Sequence, residues 1–181
     1  MRATLFERQM AMYTTFHRDY RNRLTHVFGI PAIILSLMLA LAWVQVGIGP
    51  FSVSLALLVS AAVWLLWIGL DRPIGLAMGL FMVPALGLAE WIAATQSASV
   101  VWTAFAVLFV GGWALQLLGH VYEGRRPALL SNLFQALIGP MFLVAEAFFA
   151  LGLRQGLKEQ VERTIREADP PKPEGAARPL T

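Results

Sequence analysis

The chain has 181 residues, 57% hydrophobic and only 14% charged, with a formal net charge of +3. Soluble domains run at about 45–50% apolar and about 25% charged, so this balance and a mean hydropathy of +0.63 point to a membrane-embedded chain. The absence of cysteine excludes disulfides, thiolate nucleophiles and thiolate metal sites, and in such a chain basic residues mark topology and lipid headgroup contact, not nucleic-acid binding.

Residues 1–26 are polar and basic, with Arg2, Arg8, Arg18, Arg21 and Arg23. Leu5, Met12 and Phe16 recur at a spacing that predicts an amphipathic interfacial helix. The segment lacks the apolar run and cleavage site of a signal peptide, so the first apolar run is expected to stay in the mature protein. That run, "VFGIPAIILSLMLALAWVQVG", gives a span at 27–47. Further spans follow at 51–70, 74–94 and 100–119, separated by "IGP", "DRP" and "TQSAS". Each has about 20 mostly apolar residues, the length a bilayer core requires. A fifth apolar stretch, 129–153, carries Gly139 and Pro140 near its middle, which predicts a break or kink. The expected fold class is therefore all-α: a polytopic helical membrane protein with four transmembrane helices, a broken fifth segment that is re-entrant or a kinked span, and an N-terminal interfacial helix. Residues 1–153 are expected to form one membrane-embedded domain, 154–168 a charged surface helix and 169–181 a disordered tail.

Charge sets the orientation. The N-terminal segment carries five arginines, the 71–73 turn carries Arg72, and the 120–128 segment carries Arg125 and Arg126, whereas the turns near 48 and 96 carry no basic residue. The positive-inside rule puts the first three on the cytoplasmic side. After Leu153 the chain is basic again, with Arg154, Lys158, Arg163, Arg166, Lys172 and Arg178. A fifth full crossing would send that tail outside, so charge favours the re-entrant form.

This topology has a chemical consequence. His17, His26 and His120 are the three histidines of the chain, and an even number of crossings separates the first two from the third. All three reach the same face. Gln116, His120, Glu123 and Pro127 are spaced 4, 3 and 4, one helical stripe, so an imidazole and a carboxylate are presented together as in carboxylate-bridged metal sites. Tyr13, His17, Tyr20 and Leu24 share a stripe, and Asn22 and His26 share another. His17 and His26 lie nine residues apart, about 180° around a straight helix. They can share an ion only if the chain bends between them, and residues 20–22 are where that break is expected. Histidines at a membrane boundary often only meet headgroups or water, and that reading stands beside the metal one. An imidazole and carboxylate set suits Fe(II), Mn(II) or Zn(II) without separating them. Arg125 and Arg126 would contact lipid phosphates, or hold a substrate carboxylate through the guanidinium fork. Glu90 is expected to reach the outer interface, and Glu146 to face the protein interior.

The segments "YTTFHRDYRNRLTHVFGIP" and "GHVYEGRRPAL" together resemble the membrane 2-hydroxy fatty acid dioxygenase family, in its bacterial-type form, from about Met10 to Glu146. The telling positions are Tyr13, His17, Asn22, His26, Gly29 and Pro31 in the first half, and Gly119, His120, Glu123, Pro127, Ala128 and Leu129 in the second. The resemblance implies an Fe(2+) cofactor, a 2-hydroxy fatty acid and O2 as substrates, and loss of one carbon by α-oxidation. It assigns His17, His26 and His120 as metal ligands. Glu123, Asn22 and Tyr13 match the motif as an additional ligand or as supporting groups. Membrane lipids are expected partners, and a bacterial cytoplasmic membrane with the N-terminus inside is the expected location. Three other readings stay open on the residues alone: a non-catalytic lipid-binding or assembly protein, a small transporter, and a metal-dependent lipid hydrolase.

Overall fold

Thr4 starts the first helix with a reciprocal cap. Its side chain accepts from Glu7 N at 3.2 Å, and Glu7 Oε2 accepts from Thr4 N at 2.7 Å. The computed structural model describes residues 3–124 and 134–168. The elements in order are α1 (Leu5–Thr15), α2 (Tyr20–Ala42), β1 (Gln45–Ile48), β2 (Phe51–Ser54), α3 (Leu55–Leu70), α4 (Arg72–Thr95), α5 (Ala98–Glu123), α6 (Gln135–Ala150) and α7 (Gln155–Ala168). Among the described residues the architecture is helical apart from one antiparallel hairpin.

By length and composition α2, α4 and α5 can each cross a membrane, and a fourth span results if α6 and α7, bent by 118°, count as one. Leu80 in mid-α4 is 84% exposed, as a lipid-facing position would be. α2 and α5 form the most extensive helix pair. Small residues let their backbones approach: a Cβ on Gly112 would lie 2.7 Å from Ile33 Cγ1 and 3.0 Å from Gly29 O. α3 and α4 pack as a hairpin, and α1 lies against α6 and α7.

The first span is not 27–47: its helix begins at Tyr20 and ends at Ala42, and Gln45–Ser54 forms a hairpin in which Ile48 pairs with Phe51. Gly49, at φ +60°, takes the first turn position, where two-residue hairpins favour glycine. The hairpin takes residues from the second expected span, leaving α3 with 16 residues, short of a crossing length. Pro140 does not end its helix, since α6 continues from Gln135 to Ala150. The break falls at the following turn, where Gly152 and Arg154 have positive φ. α1 buries Phe6, Met10, Ala11 and Tyr13 against the protein, so it packs by a different face from the Leu5, Met12 and Phe16 set. The expected disordered tail lies outside the described residues.

Glu90 accepts a hydrogen bond from the Ser54 hydroxyl, tying α4 to the hairpin. Glu146 pairs with Arg23 at 3.0 Å, joining α6 to α2.

Candidate metal centre

The chain breaks between α1 and α2 at residues 16–19, ahead of the expected 20–22. Asp19 is the reason. Its carboxylate accepts from Arg21 N at 2.8 Å and so caps α2, and its Arg21 hydrogen bonds hold its carboxyl below the usual carboxylate range. The break turns His17 back toward His26, placing their Nε2 atoms 3.2 Å apart. His120 comes from the last turn of α5. One ligand atom from each histidine lies within 4.8 Å of the others, and all three side chains are buried.

The hydrogen bonds fix the tautomers of two rings. His17 Nδ1 lies 2.8 Å from Tyr13 O, and His26 Nδ1 lies 2.8 Å from Asn22 O. A carbonyl only accepts, so each Nδ1 carries a proton and donates. Burial pushes the His17 imidazole down to about 4, so it is neutral at pH 7. Two Nε2 lone pairs then face each other at 3.2 Å, a repulsive contact that a shared cation relieves. Two imidazoles on one ion at about 2.0–2.1 Å stand roughly 3.0–3.4 Å apart, so the observed spacing fits. His120 Nδ1 is buried with no hydrogen-bond partner among the described residues, as expected of a group that needs a further ligand. The donor set therefore fits a first-row metal ion.

Glu123 points elsewhere. Its Oε1 accepts from Arg18 N at 2.9 Å, and its Oε2 accepts from Asp19 N at 2.9 Å and from Asn22 Nδ2 at 3.1 Å. Two of these donors are backbone groups of the break itself, so Glu123 fastens the His17 loop to the end of α5. Asn22 is a hub: its Nδ2 donates to Glu123, and its backbone carbonyl accepts from His26 Nδ1. Tyr13 stacks on His17 at 3.8 Å between ring centroids, with the planes 2° apart. Burial pushes the Tyr13 phenol well above its ordinary range, so it stays protonated. Gly119 lets α5 in this close: a Cβ there would sit 2.3 Å from Thr25 Oγ1 and 2.4 Å from Asn22 Oδ1. Arg125 and Arg126 lie outside the described residues.

A cavity of about 350 Å³ opens from the three rings. Ile30, Ile34, Leu37 and Leu41 line it along α2, with Val63 and Trp67 opposite on α3. From His26 to Leu41 is about 22 Å of helix. The cavity thus joins a polar head to a long apolar slot. Gln116 and Gln135 also line it. Gln116 belongs to the stripe legible in the sequence, whereas Gln135 carries no sequence signal beyond being a polar residue within an apolar run.

The sequence matches the family described as 2-hydroxy-palmitic acid dioxygenase Mpo1-like over residues 3–151. It is also 31% identical over 159 residues to the 2-hydroxy-palmitic acid dioxygenase MPO1 of Saccharomyces cerevisiae, covering 87% of each chain. No solved structure matches it. The two matches span the break, the histidines and the helices that carry them, and the chain belongs to the Mpo1-like family.

Proposed function

We propose that this chain is an Fe(II)-dependent membrane dioxygenase that shortens 2-hydroxy fatty acids by one carbon, acting at the cytoplasmic face of a bacterial inner membrane with its N-terminus inside. The observation that carries the reading is the joining of three convergent, buried imidazoles to one long apolar cavity, in a chain whose relative is a 2-hydroxy-palmitic acid dioxygenase. His17, His26 and His120 would hold the ion. Ferrous iron would supply the activation of dioxygen for cleavage between C1 and C2.

The remaining work falls to the chain itself. The backbone carbonyls of Tyr13 and Asn22 keep the His17 and His26 protons on Nδ1, so each Nε2 is free to bind. Glu123 and Asn22 fix the loop, supporting the ligands without joining them. Ile30, Ile34 and Leu37 take the acyl chain and exclude water. Arg125 and Arg126 would hold the substrate carboxylate through the guanidinium fork. The basic loops keep this end on the cytoplasmic side.

The test is anaerobic purification, loading with ferrous iron, and addition of 2-hydroxypalmitate and O2. Release of the fifteen-carbon acid by the iron-loaded protein is the expected result. Stoichiometric zinc with ester hydrolysis and no chain shortening would replace this reading with a lipid hydrolase, and absence of any bound metal would favour a non-catalytic lipid-binding protein.

A further inference from the structure

The hairpin fixes how deep each cavity residue lies. Leu55 N donates to Val44 O at 2.8 Å, which pins the start of α3 beside the end of α2. From there α3 runs back toward the histidines. Trp67, near its other end, donates from Nε1 to Leu137 O on α6 at 2.8 Å. Gly139 of α6 lies against Tyr13, where a Cβ would be 3.0 Å from the phenol oxygen. Leu37 precedes Val44 by seven residues and Val59 follows Leu55 by four, which puts them about 10 Å and about 6 Å in from the pinning bond. They are thus within about one turn of each other in depth, and both line the cavity.

These two differ from the other walls. Leu37 is 44% and Val59 40% exposed, whereas Met38, Trp67 and Met82, which line the same cavity, are at most 5% exposed. Lining the cavity does not by itself expose a side chain, so Leu37 and Val59 also face outward. Leu58 and Leu65 of α3 are exposed as well, so the outer surface there is apolar. Leu37 continues the stripe of Gly29 and Ile33, spaced 4 and 4, and those two meet Gly112 of α5. Leu37 therefore marks the α5 side of the cavity and Val59 the α3 side. Each of these helices has its main contacts elsewhere, α5 with α2 and α3 with α4, and among the described residues α3 and α5 make at most marginal contact.

We propose that the cavity opens sideways into the bilayer core between α3 and α5, through a window framed by Leu37 and Val59, and that the acyl tail lies out through it. Leu37 is eleven residues from His26, about 16 Å along the helix. An extended alkyl chain advances about 1.25 Å per carbon by C–C bond geometry, so about 13 carbons cover that distance. This rests on the 2-hydroxy fatty acid reading given above and deepens it by naming the substrate class: long-chain acids already dissolved in the membrane, with no upper limit on chain length. Carbons past the window stay in lipid. They leave one apolar medium for no other, so added methylenes neither strengthen nor weaken binding. In a closed slot each would have to be packed, and overpacking is costly.

The experiment measures equilibrium binding of radiolabelled 2-hydroxy acids of ten, sixteen and twenty-four carbons to the iron-loaded full chain in phospholipid nanodiscs. Conditions are anaerobic, so no turnover occurs, and the three acids are compared at equal concentration in the lipid. Wild type is expected to bind the sixteen- and twenty-four-carbon acids within about threefold of each other. Val59→Trp narrows the window and should weaken the twenty-four-carbon acid by about tenfold, the scale of one overpacked contact. The ten-carbon acid ends short of the window and should change by less than about twofold, with the sixteen-carbon acid between them. Leu37→Trp should act in the same way. Leu80→Trp, the same exchange at an exposed α4 residue outside the cavity lining, should alter none of the three. Should neither window variant accumulate, the wild-type comparison of sixteen with twenty-four carbons decides the matter alone. Rejection of the twenty-four-carbon acid by wild type means a closed slot, which overturns the window and leaves the dioxygenase reading intact. Equal weakening of all three acids by Val59→Trp, or of none, also overturns it. Failure of wild type to bind any of the three removes that reading and this inference together.

Discussion

The two ends of the helical bundle treat their polar residues differently. At the hairpin end, polar side chains satisfy one another: Ser54 donates to Glu90, and Ser52 donates to Gln45 Oε1 at 3.2 Å. At the histidine end, the polar residues are more deeply buried, yet Asn22 Oδ1, Gln116 Nε2, His120 Nδ1 and Gln135 Oε1 lack partners among the described residues. A buried group left unmet costs about 1–3 kcal/mol. Both ends belong to one set of helices, so general looseness does not account for the contrast. The hairpin end closes the fold, and the histidine end is arranged for something that binds.

The contrast is broken most sharply at the imidazoles. His17→Ala, His26→Ala or His120→Ala is expected to lower chain-shortening activity by more than about 100-fold, beyond the cost of losing an orienting group. Wild-type activity in any of these variants would remove the difference between the two ends. Glu123→Gln comes next. It keeps one acceptor but turns an NH2 group toward backbone N–H donors, so activity should drop by roughly 10–100-fold, with iron affinity measured alongside. Retained activity would mean that the break at residues 16–19 needs no clamp.

A smaller effect concerns pH. His17 is neutral when folded because its pKa is pushed from 6.5 to about 4, so between those values the unfolded chain binds more protons. Stability of the metal-free protein in detergent should be full above about pH 6.5 and decline as the pH falls toward 4. His17→Gln should flatten that decline in a Tm series, and an identical slope in the variant would contradict the burial account. The smallest effect belongs to the hairpin end. Ser54→Ala should cost about 1 kcal/mol in unfolding measurements and leave both iron content and turnover unchanged.

The candidate metal site was more legible in the sequence than the fold around it. The three histidines do cluster as expected, but parity counted four full crossings and α3 is short of one; the nine-residue spacing demanded a bend. The position of the bend was also legible: Asp19 just ahead of Tyr20–Asn22 is a helix N-cap signal, outweighed by the helical stripe that runs through Tyr20. The sequence left Glu123 open as an additional ligand or a supporting group, because a carboxylate three residues from a histidine has the spacing of a ligand. Its actual partners are the backbone N–H groups of Arg18 and Asp19, which no side-chain letter reveals. The hairpin was concealed for another reason. In an apolar window of about 20 residues, Val46, Ile48 and Val53 look the same in a strand as in a membrane helix.

The most direct test of the account is ferrous iron stoichiometry on full-length protein purified anaerobically, wild type beside His17→Ala, His26→Ala and His120→Ala. One iron per wild-type chain, and loss of iron in each folded variant, is the expected result. A folded His120→Ala protein that keeps a full complement of iron would contradict the three-histidine centre.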